Sequence, residues 1–452
     1  MGLPPGRTDV DGPGAPPARR PAGRRLVSLA LLVAAAACYV GIVAARSGPP
    51  AGGDTTPLTS VTSALADGDL RVAASVESLP NPPGYPLLAA PFVAAFPATV
   101  GAPTWCTPPA RFPAPRVGAR QVARPGVVEC GSNSVVASLP PWYRAQGLLG
   151  VASWLVLALG ALAVLRAARA DSVAREAGLL AFLAFLPAAS SAIVQLYHPQ
   201  DIVSLGLALA GLAQTLRSRW GLAGVLFGAA VLTKQFALLL LLPALVAAPD
   251  RRSRWTTAGA ATAVFVVGLA PFLVVDPRAT LENLSGFSAG GAAAGQTVLS
   301  LAGVHGTVAS AVARDAPVLF AVAVCAWAVR RPDLSVARPR MLVALALVCA
   351  GSRLVFESVV FPYYLLAASV LVLLLDLVAR RSPHWSLAWC AAAAFFVAVH
   401  PGNRAVAAFG TLALAVTVVV IGGVELTGRR DGGGREPAPL PAGGTIEGPP
   451  PT

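Results

Sequence analysis

Polar residues that could do chemistry interrupt a sequence that is otherwise strongly apolar. The stretch QLYHPQDIVSLGLAL brings His198, Gln200 and Asp201 together in a chain of 452 residues, of which 55% are hydrophobic and 12% are charged. Buried among apolar groups, such side chains are costly unless a partner satisfies them or a function uses them. Pro199 suits the first turn of a helix, and Asp201 suits its third position, where a carboxylate complements the helix dipole. Helix capping accounts for these two but leaves His198 and Gln200 unexplained.

A cation interrupts another long apolar run, VLTKQFALLLLLP. Lys234 and Gln235 stand where the chain must turn, because the surrounding run is too long for one span. Lys234 is either a lysine that extends to the membrane surface at a tight hairpin or a fixed cation suited to a phosphate.

The segment GSRLVFESVVFPYY carries a further charged pair and two tyrosines. Arg353 and Glu357 are four residues apart, so they share a helix face and can pair. That pair is either a structural ion pair or part of a site. Tyr363 and Tyr364 suit an interfacial aromatic belt or a contact with a ligand.

A carboxylate also follows the first apolar run, in GGDTTP. Asp54 with Thr55, Thr56 and Pro57 is ordinary chemistry for an Asx-turn or a helix cap. The alternative is a free carboxylate that can accept a proton, because no partner for Asp54 is evident in the sequence.

The elements that must position these residues are membrane helices. Apolar runs near the length of a spanning helix, about 20 residues, recur along the chain, and together they predict about twelve spans. The fold class is therefore an all-α polytopic membrane protein, with a membrane domain over 26–425 and disordered tails at 1–25 and 426–452. The spans are predicted near 26–45, 146–166, 178–196, 201–216, 220–233, 235–249, 256–275, 307–329, 341–356, 361–379, 385–399 and 404–425.

The net charge of +13 reports orientation rather than a nucleic-acid partner, because the arginines cluster between apolar runs. The positive-inside rule places those clusters and both termini in the cytoplasm. Residues 46–144 then form a long loop outside the plasma membrane, and all the polar segments quoted above share that face. The run 26–45 is predicted to be an uncleaved anchor, since its apolar core exceeds that of a signal peptide, which is the alternative.

Two of the six cysteines, Cys106 and Cys130, lie in this outer loop. The compartment is oxidising if the orientation holds, so we predict a disulfide between them. YPLLAAPFVAAF (85–96) in the same loop is too short to span and is predicted to lie at the outer face. The Cys and His spacing suggests no structural zinc site, and we expect no metal and no cofactor.

Several of these motifs together resemble a known family. Asp54 past the first span, then NPPGYPLLAAPF, HPQD and LAGVLFGAAVLTKQFALLLLLPAL, resemble the GT-C superfamily, and most closely glycosyltransferase family 87, the polyprenol-phosphate-mannose-dependent mannosyltransferases of actinobacteria. The resemblance implies transfer of a sugar, mannose, from a polyprenyl-phosphate donor to a cell-envelope glycan or glycolipid. It implies Asp54 as the general base, with Lys234, Arg353 and His198 meeting the phosphate.

Asp201, Gln200, Gln235, Glu357, Tyr363 and Tyr364 are then supporting residues. Two other functions stay open. One is an inactive relative that acts in envelope assembly, because Thr55 and Thr56 stand where many relatives have a second acid beside the base. The other is a transporter or flippase of lipid-linked sugars, a class that typically has repeat symmetry and polar groups near the midplane.

Overall fold

The described part of the chain is almost entirely helical. The computed structural model describes residues 22–45, 55–75, 82–95, 106–107, 128–129, 140–195, 197–285, 297, 299, 302–304, 306–331, 338–357, 360–379, 383–399 and 404–427. Its helices are α1 Ala22–Ala45, α2 Thr55–Ala66, α3 Leu70–Ser75, α4 Gly84–Ala95, α5 Pro140–Ala167, α6 Val173–Phe185, α7 Pro187–Ser190, α8 Pro199–Leu216, α9 Trp220–Thr233, α10 Leu238–Ala247, α11 Arg251–Val275, α12 Pro277–Ser285, α13 Gly306–Val329, α14 Pro339–Phe356, α15 Leu365–Val378, α16 His384–Val399 and α17 Arg404–Thr427.

Short irregular turns connect some of these helices. A π turn covers Ser191–Gln195, and 3-10 turns cover Gln235–Ala237 and Pro362–Tyr364. Two strands of two residues each, β1 Cys106–Thr107 and β2 Val128–Glu129, pair in parallel. The predicted all-α class therefore holds for the described chain apart from this one pairing.

Six of the described helices are long and apolar enough to cross a membrane. The bent pair Val173–Phe185 and Pro187–Val194 would make seven. Helices such as α9 and α10, with 14 and 10 residues, fall short of the about 20 that a span needs. The predicted count of about twelve spans is not confirmed, because several of the apolar runs form short or broken helices.

Glycines let the central helices approach closely. α5 packs along α8, and a Cβ added to Gly160 would lie 2.2 Å from the Gly206 carbonyl oxygen. α9 packs along α11, where a Cβ on Gly224 would lie 2.3 Å from the Thr257 carbonyl oxygen. Lipid supplies no hydrophobic force between membrane helices, so close backbone packing at small residues stabilises such crossings.

Two ion pairs tie the bundle together away from the polar segments singled out above. Arg166 on α5 donates from Nε and Nη2 to the buried Glu176 on α6, with both distances 3.0 Å. The Ser28 hydroxyl of α1 also donates to Glu176. Arg340 on α14 pairs with Glu425 on α17. These contacts join α1 to α5 and α6, and α14 to α17.

The helices of the 46–144 segment build a small apolar core of their own. Leu58 and Val61 of α2 pack with Tyr85, Ala89 and Val93 of α4. The same cluster includes Leu149, Tyr197, Val203 and Phe272 from α5, the segment before α8, α8 itself and α11. The short apolar piece predicted in the loop is thus the helix α4, packed against the ends of the bundle helices. Cys130 lies outside the described residues, so the disulfide between Cys106 and Cys130 stays a prediction. Asp54 also lies outside the described residues.

We expect the α5–α8 crossing to be sensitive to one added methyl group. In Gly206→Ala the new Cβ would meet backbone atoms of Val156 and Leu157 at 2.7 Å, so the free energy of unfolding should fall by about 1–3 kcal/mol. Gly178→Ala on α6 is the matched control, because nothing lies within 4 Å of its Cβ position. Thermal unfolding of the detergent-solubilised protein measures both, and equal midpoints for the two variants would contradict the tight crossing.

Candidate active site at a cluster of helix breaks

Asp201 lies at the centre of a buried charged cluster. It is the third residue of α8, as predicted, and is only 3% exposed. Its Oδ2 lies 3.3 Å from Nζ of Lys234 and 3.7 Å from Nδ1 of His198. Its Oδ1 lies 4.0 Å from Nη1 of Arg353. Asp201 therefore has cationic partners besides the helix dipole.

Lys234 stands at a break between two helices. It ends α9 with an extended backbone, and the 3-10 turn before α10 follows at once. The predicted turn at this lysine is thereby confirmed. Ser204 on α8 donates its hydroxyl to the Ala230 carbonyl at 2.9 Å and lies 3.3 Å from the Lys234 carbonyl. These bonds fix the end of α9 against the first turns of α8.

Arg353 and Glu357 form the predicted ion pair at the end of α14. Nε of Arg353 lies 2.6 Å from Oε1 of Glu357, and Glu357 is 3% exposed. The guanidinium also lies 4.2 Å above the ring of Tyr364 and 5.2 Å from that of Phe236. Aromatic faces attract such a cation, so the arginine is held from three sides.

Tyr363 and Tyr364 belong to the cluster and not to a lipid-facing belt. Both are buried, at 3% and 6% exposure, in the 3-10 turn before α15. The ring of Tyr363 stacks on His198 with centroids 3.9 Å apart. The aromatic-belt interpretation is therefore wrong for these two residues, because a belt residue lies at the membrane interface.

The backbone that carries His198 is unusual. The π turn Ser191–Gln195 precedes it, and Tyr197 has a φ of +51°. Left-handed backbone is unfavourable for a residue with a Cβ and often marks functional sites. The amide nitrogen of Gln200 lies 3.2 Å from Nδ1 of His198, so Gln200 helps to hold the ring.

Three helix N-termini face this cluster. Asp201 lies in the first turn of α8, Lys234 precedes the 3-10 turn that leads into α10, and Tyr363 and Tyr364 lie in the turn that leads into α15. Helix N-termini carry partial positive charge and bind anions. In membrane proteins, broken helices that point these ends into a buried site are a known way to hold anionic groups.

Some acceptor oxygens in the cluster lack a donor among the described residues. Oε2 of Glu357 and Oε1 of Gln200 are buried and accept no hydrogen bond there. Leaving such an oxygen unsatisfied costs about 1–3 kcal/mol. The described residues contain no group of three or more His, Cys, Asp or Glu side chains that could hold a metal ion. The cluster thus suits a ligand that carries both an anion and hydroxyl groups.

The structure brings together most of the residues predicted for the site. His198, Gln200, Asp201, Lys234, Arg353, Glu357, Tyr363 and Tyr364 are joined by the contacts above, whereas Gln235 donates to the Leu284 carbonyl at 3.0 Å and so ties its turn to α12. The sequence analysis missed Ser204 and Phe236. Ser204 lies three residues after Asp201, so the helical period could have found it. Phe236 lies within an apolar run, where nothing in the sequence distinguishes it from its apolar neighbours.

Comparison with known protein families gives a match over the central part of the chain. The sequence model of glycosyltransferase family 87 matches residues 134–356, from just before α5 to the last residue of α14. That range contains His198, Asp201, Lys234 and Arg353, while Asp54 lies before it. No curated protein matches the chain. Residues 134–356 therefore match glycosyltransferase family 87, as the motifs predict, and the match supports the class of a membrane glycosyltransferase.

Proposed function

We propose that this protein transfers a sugar, mannose, from a polyprenyl-phosphate donor to a glycan or glycolipid acceptor of the cell envelope. The reaction takes place at the outer face of the plasma membrane, with both termini in the cytoplasm. The observation that carries the proposal is the buried cluster of Asp201, Lys234 and Arg353 at the meeting point of broken helices, inside the segment that matches the family.

The cluster has donors to offer to a phosphate. The Lys234 ammonium has three N–H donors and faces one carboxylate oxygen at 3.3 Å, so donors remain. Arg353 donates from Nε to Glu357, and its Nη1 lies 4.0 Å from Asp201. The N–H groups of its two Nη atoms therefore remain available to an anion. Donors aimed at the leaving phosphate stabilise the charge that grows as the glycosidic bond breaks.

Two acceptor oxygens of the cluster suit the sugar. Oε2 of Glu357 and Oε1 of Gln200 are buried and accept no hydrogen bond from the described residues. Sugar hydroxyls would donate to these oxygens and remove the desolvation cost. A lipid phosphate without a sugar would leave them unsatisfied, so the arrangement favours a glycosylated donor.

Asp54 remains our candidate for the general base. An acceptor hydroxyl needs a carboxylate within about 3 Å to take its proton. Asp201 already faces Lys234 and Arg353, and Glu357 already faces Arg353. Each is therefore needed to neutralise a buried cation. Asp54 directly precedes α2, and α2 packs on α4, whose first residues contact the end of α9. The outer-loop helices thus lie at the end of the bundle where the cluster is.

A transporter is a weaker candidate. Transporters place their polar groups near the midplane, at the interface of internal repeats. The sequence shows no internal repeat, and residues 134–356 match a glycosyltransferase family. An inactive relative in envelope assembly differs from the proposed enzyme only in its activity, which the variants below measure.

Asp54→Asn and Asp201→Asn should separate catalysis from stability. Asp54→Asn removes a base and should lower the transfer rate by about 100-fold to 10,000-fold with little change in the unfolding midpoint. Asp201→Asn leaves Lys234 buried without its carboxylate, so it should lower stability by about 3–5 kcal/mol and lower the transfer rate less than Asp54→Asn does. Transfer assays and thermal unfolding of both purified variants check this. A fully active Asp54→Asn protein beside a folded but inactive Asp201→Asn protein would make Asp201 the base.

Lys234→Ala should weaken use of the donor. Losing a charge-assisted contact with the phosphate should lower kcat/KM for a short-chain polyprenyl-phosphate mannose by about 10-fold to 100-fold. Arg314→Ala is the matched control, because Arg314 is also a cation paired with a carboxylate, Asp315, but that pair is about half exposed. The control should keep its donor kcat/KM. Full activity in both Lys234→Ala and Arg353→Ala would mean that other residues bind the phosphate.

A further inference from the structure

The outer-loop helix α4 contacts the two segments that present Lys234 and His198. Its first residue, Gly84, touches the end of α9: a Cβ there would lie 2.6 Å from the carbonyl carbon and oxygen of Leu232 and from the amide nitrogen of Thr233. Lys234 is the next residue of the chain. Only glycine allows this backbone-to-backbone contact, so α4 abuts the break that presents Lys234.

The second residue of α4 reaches the other segment. The hydroxyl of Tyr85 lies 3.4 Å from that of Tyr197, and both side chains are buried. Tyr197 is the residue with φ +51°, and His198 follows it. Burial raises the pKa of Tyr85 to about 12, so its phenol keeps its proton and remains able to donate.

Neighbouring contacts make α4 a fixed support. Ala89 and Val93, one and two turns further along α4, are buried in the small core with Leu58 of α2 and Phe272 of α11. Residues on the other side of the same helix are exposed, with Leu88 at 59%. α4 is therefore anchored by its apolar face while its first turn meets the two segments of the site.

We infer that α4 positions the cluster, with Gly84 setting the place of Lys234 and Tyr85 holding the strained backbone that presents His198. Neither residue touches the reacting groups, so both act through others as positioning residues. The kinetic consequences rest on the proposed function, whereas the geometric ones do not. The arrangement also means that the outer loop and the bundle share one site, because a shift of α4 moves Lys234 and His198 together.

The chain offers a direct probe of this geometry, because Lys234 is the only lysine among 452 residues. An amine-reactive ester is applied to the full-length protein in nanodiscs, and mass spectrometry of the peptide that contains Lys234, apart from the N-terminal peptide, reports the exposure of that one side chain. Lys234 is 7% exposed, so the wild type should react slowly. In Gly84→Ala the α9 backbone must shift, and labelling of Lys234 should rise by about tenfold.

Gly224→Ala is the matched control for that variant. It adds the same methyl group to an equally tight contact of α9, against the Thr257 carbonyl on α11, ten residues before Lys234. It should lower the unfolding midpoint comparably and leave the labelling of Lys234 unchanged. Equal labelling of the two variants, or no rise in Gly84→Ala, would overturn the positioning role of Gly84.

Tyr85→Phe tests the second contact and remains informative if Gly84→Ala does not fold. Removing the hydroxyl should raise the rate at which diethyl pyrocarbonate modifies His198 by several-fold, while Leu88→Ala on the exposed side of α4 should leave it unchanged. With Tyr197→Phe the effect on His198 should not add, since both changes remove the contact between the two hydroxyls. Unchanged modification of His198 in Tyr85→Phe would overturn the role of Tyr85.

Kinetics distinguish positioning from a general loss of stability. With a polyprenyl-phosphate mannose donor, Gly84→Ala and Tyr85→Phe should raise the donor KM and leave the acceptor KM unchanged, whereas Gly224→Ala should change neither. A Gly224→Ala protein with the same rise in donor KM would overturn the inference. The labelling measurements need no substrate, so a wild-type protein without transfer activity would count against the proposed function alone.

Discussion

The ion pair between Asp201 and Lys234 constrains the rest of the structure. Both side chains are at least 90% buried, and their nearest atoms are 3.3 Å apart. A buried charge without a partner costs several kcal/mol. The first turn of α8, which carries Asp201, and the end of α9, which carries Lys234, must therefore lie side by side. α8 therefore begins, and α9 ends, beside the end of α14 that carries Arg353. Non-helical backbone at such a depth is tolerated only inside the protein, and the surrounding helices provide that cover.

The same constraint explains why the bundle mixes long and short helices. α9 has 14 residues and is about 21 Å long, whereas a membrane core is about 30 Å thick. α9, which ends at the buried cluster, is therefore too short to run the full width of the membrane. α1, α5, α11, α13, α14 and α17 are long enough to do so. Hydropathy counts both kinds of apolar run as spans, so the described helices do not confirm the predicted count of about twelve.

The contacts within the site differ in how far the sequence could predict them. Arg353 and Glu357 were predicted to pair because four residues make one helical turn, and the pair forms. Asp201 and Lys234 are 33 residues apart on different helices, so no periodicity reports their contact. The sequence suggested it only because both residues were predicted to lie at the outer face of the membrane. The stacking of Tyr363 on His198 was missed for the same reason. In the sequence, an aromatic pair that follows an apolar run gives the same pattern in an interfacial belt and in a buried turn.

Close backbone contacts, more than apolar burial, decide the distances in this site. Lipid is as apolar as leucine, so apolar side chains give membrane helices little reason to prefer one depth or rotation over another. Gly160 and Gly206 fix α5 against α8, the helix that carries Asp201. Gly84 then brings α4 onto the end of α9. A shift of this helix end by under 1 Å would change the 3.3 Å distance between Lys234 and Asp201 by a large fraction.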